Sequence, residues 1–294
     1  MMNSASDSIP ASALVLGASG MIGLPLALAL AERGARVYGA ARFSDAAKRR
    51  MLEERGVATV PFDVLRDDPA ALPEVAALFL EIWDPANPKL TFELNVHAVG
   101  RVVERYAGAA TIVNGGTINV YGAGDYLPRE DSPCQPDSPY GLSRFVQEQM
   151  IEFFCRQRGG KAIHVRYAHT NSASRGMIHW MASRILGGES LGPHPDRRIQ
   201  VIALEDAVRV TAAACSRAEH PTAAVNCCHP REWGWRELAE EIHRRLGRGS
   251  VVFDAPAGGV ATTVCADAGR MVEWFGPPQV TLEAMIERVV RELS

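Results

Sequence analysis

The sequence predicts an α/β protein, a doubly wound parallel sheet with a smaller C-terminal lobe. Three observations carry that expectation: short apolar β-like runs alternate with helical stretches up to Tyr167, a glycine-rich turn joins the first such run to the first helical stretch, and beyond Tyr167 the alternation weakens. Strands separated by helices imply βαβ units and parallel pairing.

Residues Met1 to Pro10 lack both a basic start and a long apolar core, so they are expected to be a flexible tail and not a secretion signal. Ala13 to Leu16 reads as the first strand, and the segment MIGLPLALALAERG as a helix closing at Gly34. Arg36 to Ala41, Ala58 to Phe62 and Val75 to Trp83 read as the next strands, with a polar helix over Ser44 to Arg55 between the first two. Leu90 to Tyr106 reads as one long helix, Ala110 to Asn114 as a buried strand, Tyr140 to Arg158 as a helix and Ala162 to Tyr167 as a sixth strand. Gly187 to Arg198 is rich in Gly, Pro and Arg and predicts a loop, followed by a strand over Ile199 to Ala203, a helix from Glu205, and helices over Trp235 to Leu246 and near Leu282 to Leu293. The expected division is a first domain of residues 11–167 with about 199–226, and a smaller lobe of about 168–198 with 227–294.

Composition excludes several classes. The 294 residues are 47% hydrophobic and 22% charged, and no apolar run reaches the length of a bilayer span. A net charge of −3 supplies no basic field for nucleic acid, and Lys48, Arg49 and Arg50 sit near acidic residues, as expected of a solvated helix face. The six cysteines form no CxxC pair and have no histidine pair nearby at metal-ligand spacing, so they are expected to be reduced thiols, with no metal. A cytoplasmic protein with a small-molecule substrate, and neither a nucleic-acid nor a membrane partner, is the expectation.

Gly17-Ala18-Ser19-Gly20-Met21-Ile22-Gly23 places glycines at three-residue spacing between a strand and a helix. There bare backbone can approach a pyrophosphate at the helix N-terminus, the arrangement of a Rossmann dinucleotide site. The second strand ends at Ala41-Arg42 without the acidic residue that would accept from an adenosine ribose. A guanidinium suits a 2′-phosphate, so NADP(H) is favoured over NAD(H). Asp63 and Val64 follow the third strand, where Asp63 either caps the stretch after it or, as the family resemblance given next implies, meets the adenine.

The GxxGxxG spacing resembles the short-chain dehydrogenase/reductases, and the likeness runs along most of the chain. Asn114 to Gly122 (NGGTINVYG) is similar to the stretch ending in VYG of the extended members, the NAD-dependent epimerase/dehydratase family, with Thr117 at the catalytic hydroxyl position. Ser138-Pro139-Tyr140-Gly141-Leu142-Ser143-Arg144 resembles their SPYxxSK, which implies Tyr140 as the proton donor or acceptor, while Arg144 stands where the family has lysine. That lysine usually favours the ionised tyrosine and hydrogen-bonds the nicotinamide ribose. Arginine keeps the charge one helical turn from Tyr140 but differs in bulk and fork geometry. Asn95 resembles the start of the family's NVxGTxN helix and is implied to complete the catalytic group. Arg166-Tyr167 with His169 resembles RYFN of the galactose epimerases, with His169 replacing the asparagine that meets a nucleotide sugar; a backbone-satisfied core histidine is the alternative. Arg198 echoes their QxRDF segment, although NxYGP is missing.

Val37 to Arg42 and Trp83 resemble VYGxAR and VTW of the plant progesterone 5-beta-reductase and iridoid synthase group, which use NADPH, and Trp83 is either a cofactor wall or core. The likeness implies an NAD(P)-dependent oxidoreductase, NADPH-preferring, acting on a carbonyl or hydroxyl carbon of a small polar substrate held by Thr117 of the first domain and by His169 and Arg198 of the smaller C-terminal substrate lobe. Two alternatives stay open: an NAD-retaining nucleotide-sugar epimerase or dehydratase, and a non-catalytic NADP-binding regulator. A homodimer is implied by resemblance alone.

Overall fold

The computed structural model describes residues 9–83, 88–255 and 264–294, so most of the expected N-terminal tail lies outside the described residues. The chain forms two compact units, one of Met1–Val120, Pro136–Arg166 and Val208–Val225, the other of Tyr121–Gln135, Tyr167–Ala207 and Asn226–Ser294.

The first unit opens with β1 (Ser12–Leu16), α1 (Gly23–Glu32), β2 (Arg36–Ala41), α2 (Ala46–Glu54), β3 (Ala58–Pro61) and β4 (Ala77–Leu80). After a π-helical turn at Glu93–Ala98 come α3 (Val99–Tyr106), β5 (Thr111–Thr117), α4 (Pro139–Arg158) and β6 (Ala162–Tyr167). Beyond it lie β7 (His169–Asn171), α5 (Met177–Gly187), β8 (Arg198–Ile199), β9 (Val201–Ala203), α6 (Leu204–Ala214) and β10 (Ala223–Cys227). The chain ends with β11 (Trp233–Gly234), α7 (Trp235–Leu246), α8 (Gly269–Phe275) and α9 (Leu282–Leu293).

The central sheet has the order β10-β6-β5-β4-β1-β2-β3. β1 runs parallel to both β2 and β4, β2 to β3, and β4 to β5. Strand order reverses beside β1, which puts the topological switch point, where such sheets bind ligands, at the glycine turn. Helices cover both faces, so β4 along its whole length and β1 from Ala13 onward are apolar rather than alternating. On one face Leu14, Leu78, Leu80 and Ile112 pack with Val99, Val102 and Val103 of α3 and Ile151 of α4.

Four element boundaries differ from expectation. The fourth strand stops at Leu80, short of Trp83, because its partner β1 ends at Leu16, paired with Leu80, where Gly17 turns away. The stretch from Leu90 is not one regular helix but a short 3-10 turn, a π-helical turn and then α3. β5 runs on to Thr117. The expected strand over Ile199 to Ala203 is two strands serving two sheets, β8 antiparallel to β11 and β9 parallel to β7. Gln200 between them is buried, its side chain accepting from the Ala266 N–H at 2.7 Å and donating to the carbonyls of Ala266 and His229.

In the second unit α5, absent from the sequence expectation, packs Ile178, Met181 and Ile185 against Trp235, Leu238 and Ile242 of α7 and Ile286 of α9. Cys155, Cys227, Cys228 and Cys265 are buried and form no disulfide, and burial pushes the Cys265 thiol up to about 12. Among the described residues, no helix is long and apolar enough to cross a membrane.

Candidate active site

The turn after β1 has no room for a side chain at Gly17 or Gly23. A β-carbon on Gly17, whose φ is 94°, would stand 2.3 Å from the carbonyl oxygen of Glu81, and one on Gly23 would stand 2.2 Å from that of Gly17. Glycine is therefore required at both positions, and the N–H of Gly20 closes the turn on the carbonyl of Gly17 at 2.8 Å. Met21 and Ile22 lead into α1, which begins without a side-chain cap; the Leu24 N–H bonds the Gly20 carbonyl at 3.2 Å and Pro25 has no N–H to satisfy.

The turn forms one wall of a groove lined by Gly17, Ser19, Gly20, Arg42, Asp63, Val64, Glu81 and Trp83, which brings together eight residues of one ligand-sized cleft. These residues fit a dinucleotide: bare backbone for a pyrophosphate, and an arginine rather than an acid at the end of β2. Asp63 also serves its alternative role, since its Oδ1 accepts from the N–H of Leu65 at 3.1 Å. Trp83 is 59% exposed, and its ring centroid is 6.2 Å from that of Tyr140, so it spans from the groove to the N-terminal turn of α4.

Tyr140 is held by backbone and helix geometry. Ser138 caps α4 by accepting from the Gly141 N–H at 3.1 Å, and Pro139 takes the first helical position. A β-carbon on Gly141 would lie 2.5 Å from the carbonyl oxygen of Asn119, so glycine lets the first turn of α4 rest on the segment just after Thr117. Buried Thr117 accepts from the Asn119 N–H through its Oγ1 at 3.2 Å, which leaves the hydroxyl hydrogen available to donate.

Arg144 is 4% exposed and ties strand ends together through its two terminal nitrogens, while its buried Nε has no partner. Its Nη2 donates to the carbonyl of Ile82 at 2.7 Å, and its Nη1 to the carbonyl of Gly115 at 3.2 Å and to Oε1 of Gln147 at 3.1 Å. Its Cζ sits 5.6 Å from the Tyr140 ring centroid, so a positive charge faces that ring. Gln147 passes the network on through its Nε2 to Asn114 at 3.0 Å, and the Asn114 side chain bonds Nδ1 of His164 at 3.2 Å. Asn95 lies in the π-helical turn and donates to the Ser143 hydroxyl at 3.0 Å, and that hydroxyl donates to the Tyr140 carbonyl at 2.8 Å. The Asn95 Oδ1 is buried and has no partner, as expected of an atom reserved for a bound group or water.

In the second unit His169 opens β7 exposed, with its carbonyl accepting from Asn171. Arg198 is paired with Glu232 at 2.9 Å and points its charge at that acid. Its neighbour Arg197 instead stacks on Trp235, with Cζ 3.4 Å from the ring centroid.

Sequence reasoning missed three residues. Glu81 leaves β4 into the groove, and its carboxylate occupies the space a β-carbon on Gly115 would need, 2.5 Å from Oε2; the glycine pair Gly115-Gly116 was the available signal. Gln147 had no signal beyond lying three residues after Arg144. Lys48 corrects the expectation of a solvated helix face: it is half-buried, and its Nζ donates to the Ser19 carbonyl at 3.2 Å. Among the described residues no group of three His, Cys, Asp or Glu could hold a metal.

Residues 13–228 match the NAD dependent epimerase/dehydratase family. The chain belongs to that family. Its fold and its GxxGxxG turn are those of the extended short-chain dehydrogenase/reductases. Within the epimerase/dehydratase family, the chain is 28% identical over 182 residues to the UDP-glucose 4-epimerase of Streptococcus mutans serotype c, covering 54% of this chain and 52% of that one. It is 37% identical over 68 residues to the UDP-glucose 4-epimerase of Azospirillum brasilense, covering 23% of this chain and 20% of the relative, so the chain matches about half or less of the length of these two relatives. Among solved structures it resembles the UDP-glucuronic acid 4-epimerase of Bacillus cereus, determined in complex with UDP-glucuronic acid and NAD, with a TM-score of 0.82 at 19% identity over 96% of this chain and 100% of that one. The UDP-glucose 4-epimerase of Thermus thermophilus, in complex with NAD, gives 0.81 at 19% identity over 95% and 98%.

Proposed function

We propose that the chain is an NAD(P)-dependent enzyme that moves a hydride to or from a hydroxyl-bearing carbon of a nucleotide-sugar-like substrate, in the manner of an epimerase or dehydratase. The observation that carries this reading is the convergence, within one unit, of the glycine groove, Thr117, and Tyr140 under the charge of Arg144. The family match and the sugar-nucleotide epimerases among its relatives support the substrate class.

When bound, the cofactor supplies or accepts the hydride. Tyr140 takes the proton of the substrate hydroxyl on its phenolic oxygen, or returns it to a carbonyl oxygen. Thr117 donates a hydrogen bond to that same oxygen and so steadies the charge that builds there. Arg144 holds a positive charge with its Cζ 5.6 Å from the Tyr140 ring centroid, and its bonds to Ile82, Gly115 and Gln147 fix that charge in place. Asn95 acts through Ser143 on the main chain of Tyr140, and Gly17, Ser19 and Gly20 admit the pyrophosphate.

A second reading, a reductase that exchanges NADPH on each turnover, is favoured by Arg42 standing where NAD enzymes carry an acid. One experiment separates them. Purified protein is denatured and any released nucleotide identified by mass spectrometry, and the native protein is incubated with UDP-glucose, UDP-glucuronic acid or dTDP-glucose. Retained NAD with conversion of a sugar nucleotide is the result expected of the epimerase or dehydratase; an empty protein that oxidises NADPH only with a carbonyl substrate supports the second reading, and the absence of both reactions sinks the proposal.

A further inference from the structure

The guanidinium of Arg144 takes its direction from its acceptors. Its Nε is buried without a partner, so the group is held at its two terminal nitrogens, by the carbonyls of Ile82 and Gly115 and by Oε1 of Gln147 at 3.1 Å. Gln147 is the one side chain among these three acceptors. All three are uncharged, so none of them neutralises the charge beside the Tyr140 ring. Glu148, the next residue along α4, is bound at both carboxylate oxygens by Arg166, at 3.1 and 2.7 Å.

Gln147 is also the first link of a buried chain of hydrogen bonds that runs in one direction, from α4 through β5 to β6. A guanidinium only donates, so Gln147 must turn its oxygen to Arg144 and its nitrogen to the next group. That Nε2 donates to Oδ1 of Asn114 at 3.0 Å, which leaves Nδ2 of Asn114 to face Nδ1 of His164 at 3.2 Å. An amide nitrogen only donates as well, so Nδ1 accepts, and the neutral imidazole carries its proton on Nε2. Burial first, and the Arg166 charge after it, hold the ring below its usual value against the acids Glu148 and Glu152. The direction imposed by Arg144 therefore reaches the tautomer of a ring on β6.

We infer that Gln147 is a positioning residue for the proton transfer at Tyr140: it holds the Arg144 guanidinium in place, and its own amide is kept facing that way by Asn114 and the Nδ1 lone pair of His164. The consequence for the reaction rests on the proposed function; the direction of the relay does not.

The test labels the histidines of the full chain with heavy nitrogen and reads the His164 tautomer by proton–nitrogen correlation spectra near neutral pH, with His164→Gln to assign the signal. The native protein shows a bare Nδ1 and the proton on Nε2. Gln147→Glu has no N–H to give Asn114, so the Asn114 amide turns over and the His164 proton moves to Nδ1. Asn114→Asp, which can only accept, forces the same tautomer and keeps the readout if Gln147→Glu does not fold. Gln147→Met removes the bond to Arg144 at nearly constant side-chain length. Its kcat on the converted sugar nucleotide falls about tenfold, the worth of one charge-assisted hydrogen bond, while KM and dinucleotide affinity stay within about twofold. A native His164 with its proton on Nδ1, or the native tautomer in Gln147→Glu, overturns the inference. So does an unchanged kcat in Gln147→Met, or a parallel loss of dinucleotide affinity, which would mean that Gln147 serves only the fold. A relay that switches as described in a protein that converts no sugar nucleotide or carbonyl would leave the positioning of Arg144 standing and defeat the proposed reaction instead.

Discussion

Arg144 donates to the carbonyl oxygen of Ile82 at 2.7 Å, and this bond links the helix that carries Tyr140 to the chain leaving β4. With the bonds to Gly115 and Gln147 it makes Arg144 a fixed strut as well as a charge. A lysine is a compact point charge and cannot spread its donors over these three acceptors in the same geometry. Arg144→Met, which strands buried acceptors, is expected to cost about 3 kcal/mol of stability, and Arg144→Lys about 1 kcal/mol. Urea unfolding midpoints check this; an unchanged midpoint for Arg144→Met would contradict the strut.

Gly141→Ala should separate catalysis from cofactor binding. The added methyl would meet the Asn119 carbonyl at 2.5 Å and push the first turn of α4, and Tyr140 with it, off the segment after Thr117. A misplacement of about 1 Å at a reacting group costs on the order of 100-fold in rate. The expected outcome is that kcat falls by about that factor while dinucleotide affinity in the groove stays within about twofold; parallel loss of both would show that the clash spreads through the unit.

Gly17→Ala acts on the other end of the site. Its β-carbon would be 2.3 Å from the Glu81 carbonyl, at a φ of 94° that side chains rarely adopt. Dinucleotide binding should drop by about 100-fold or more, because the turn must open before it can accept a pyrophosphate. Fluorescence quenching of exposed Trp83 offers a direct readout.

Stability should fall on acidification through His164. Burial first, and the Arg166 charge after it, hold the imidazole below its usual value of 6.5 against the opposing pull of Glu148. The unfolded chain then binds a proton that the folded one refuses, so this part of the stability is complete above about pH 6.5 and declines below it, by at most about 1.4 kcal/mol per pH unit. The geometry agrees: Nδ1 meets the Asn114 side chain, where a protonated ring could not accept. Glu148 acts in the same direction at lower pH; burial alone would raise it, but Arg166, His164 and Arg144 hold it below the carboxylate range, and its pairing with Arg166 at 2.7 Å is lost as it protonates. Chemical unfolding from pH 7.5 to 5 should show the decline in the native protein and a flatter profile in His164→Gln.

What could be read in the sequence was what local chemistry dictates. The glycine turn, the cap at Ser138 with Pro139, and the apolar strands of the buried sheet each depend on residues within a few positions of one another. The rest depends on partners far apart in sequence. Nothing near Arg144 says that its guanidinium will meet the main chain of Ile82, 62 residues away, and nothing near Lys48 points to Ser19, 29 residues back. Ile199 to Ala203 read as one strand because apolarity is shared, and only the tertiary pairing of β8 with β11 and β9 with β7 divides it. The likeness to QxRDF points to Arg198, and only the tertiary structure sets its neighbour Arg197 on Trp235 and Arg198 itself on Glu232.

The central claim is that Tyr140 transfers the proton in a hydride-transfer reaction. Its most direct test is product formation from the sugar nucleotide converted by the native protein, measured side by side with Tyr140→Phe at saturating cofactor. Loss of the phenolic oxygen should lower kcat by about 100-fold to 10,000-fold with dinucleotide affinity unchanged; conversion at the native rate by Tyr140→Phe would contradict the account.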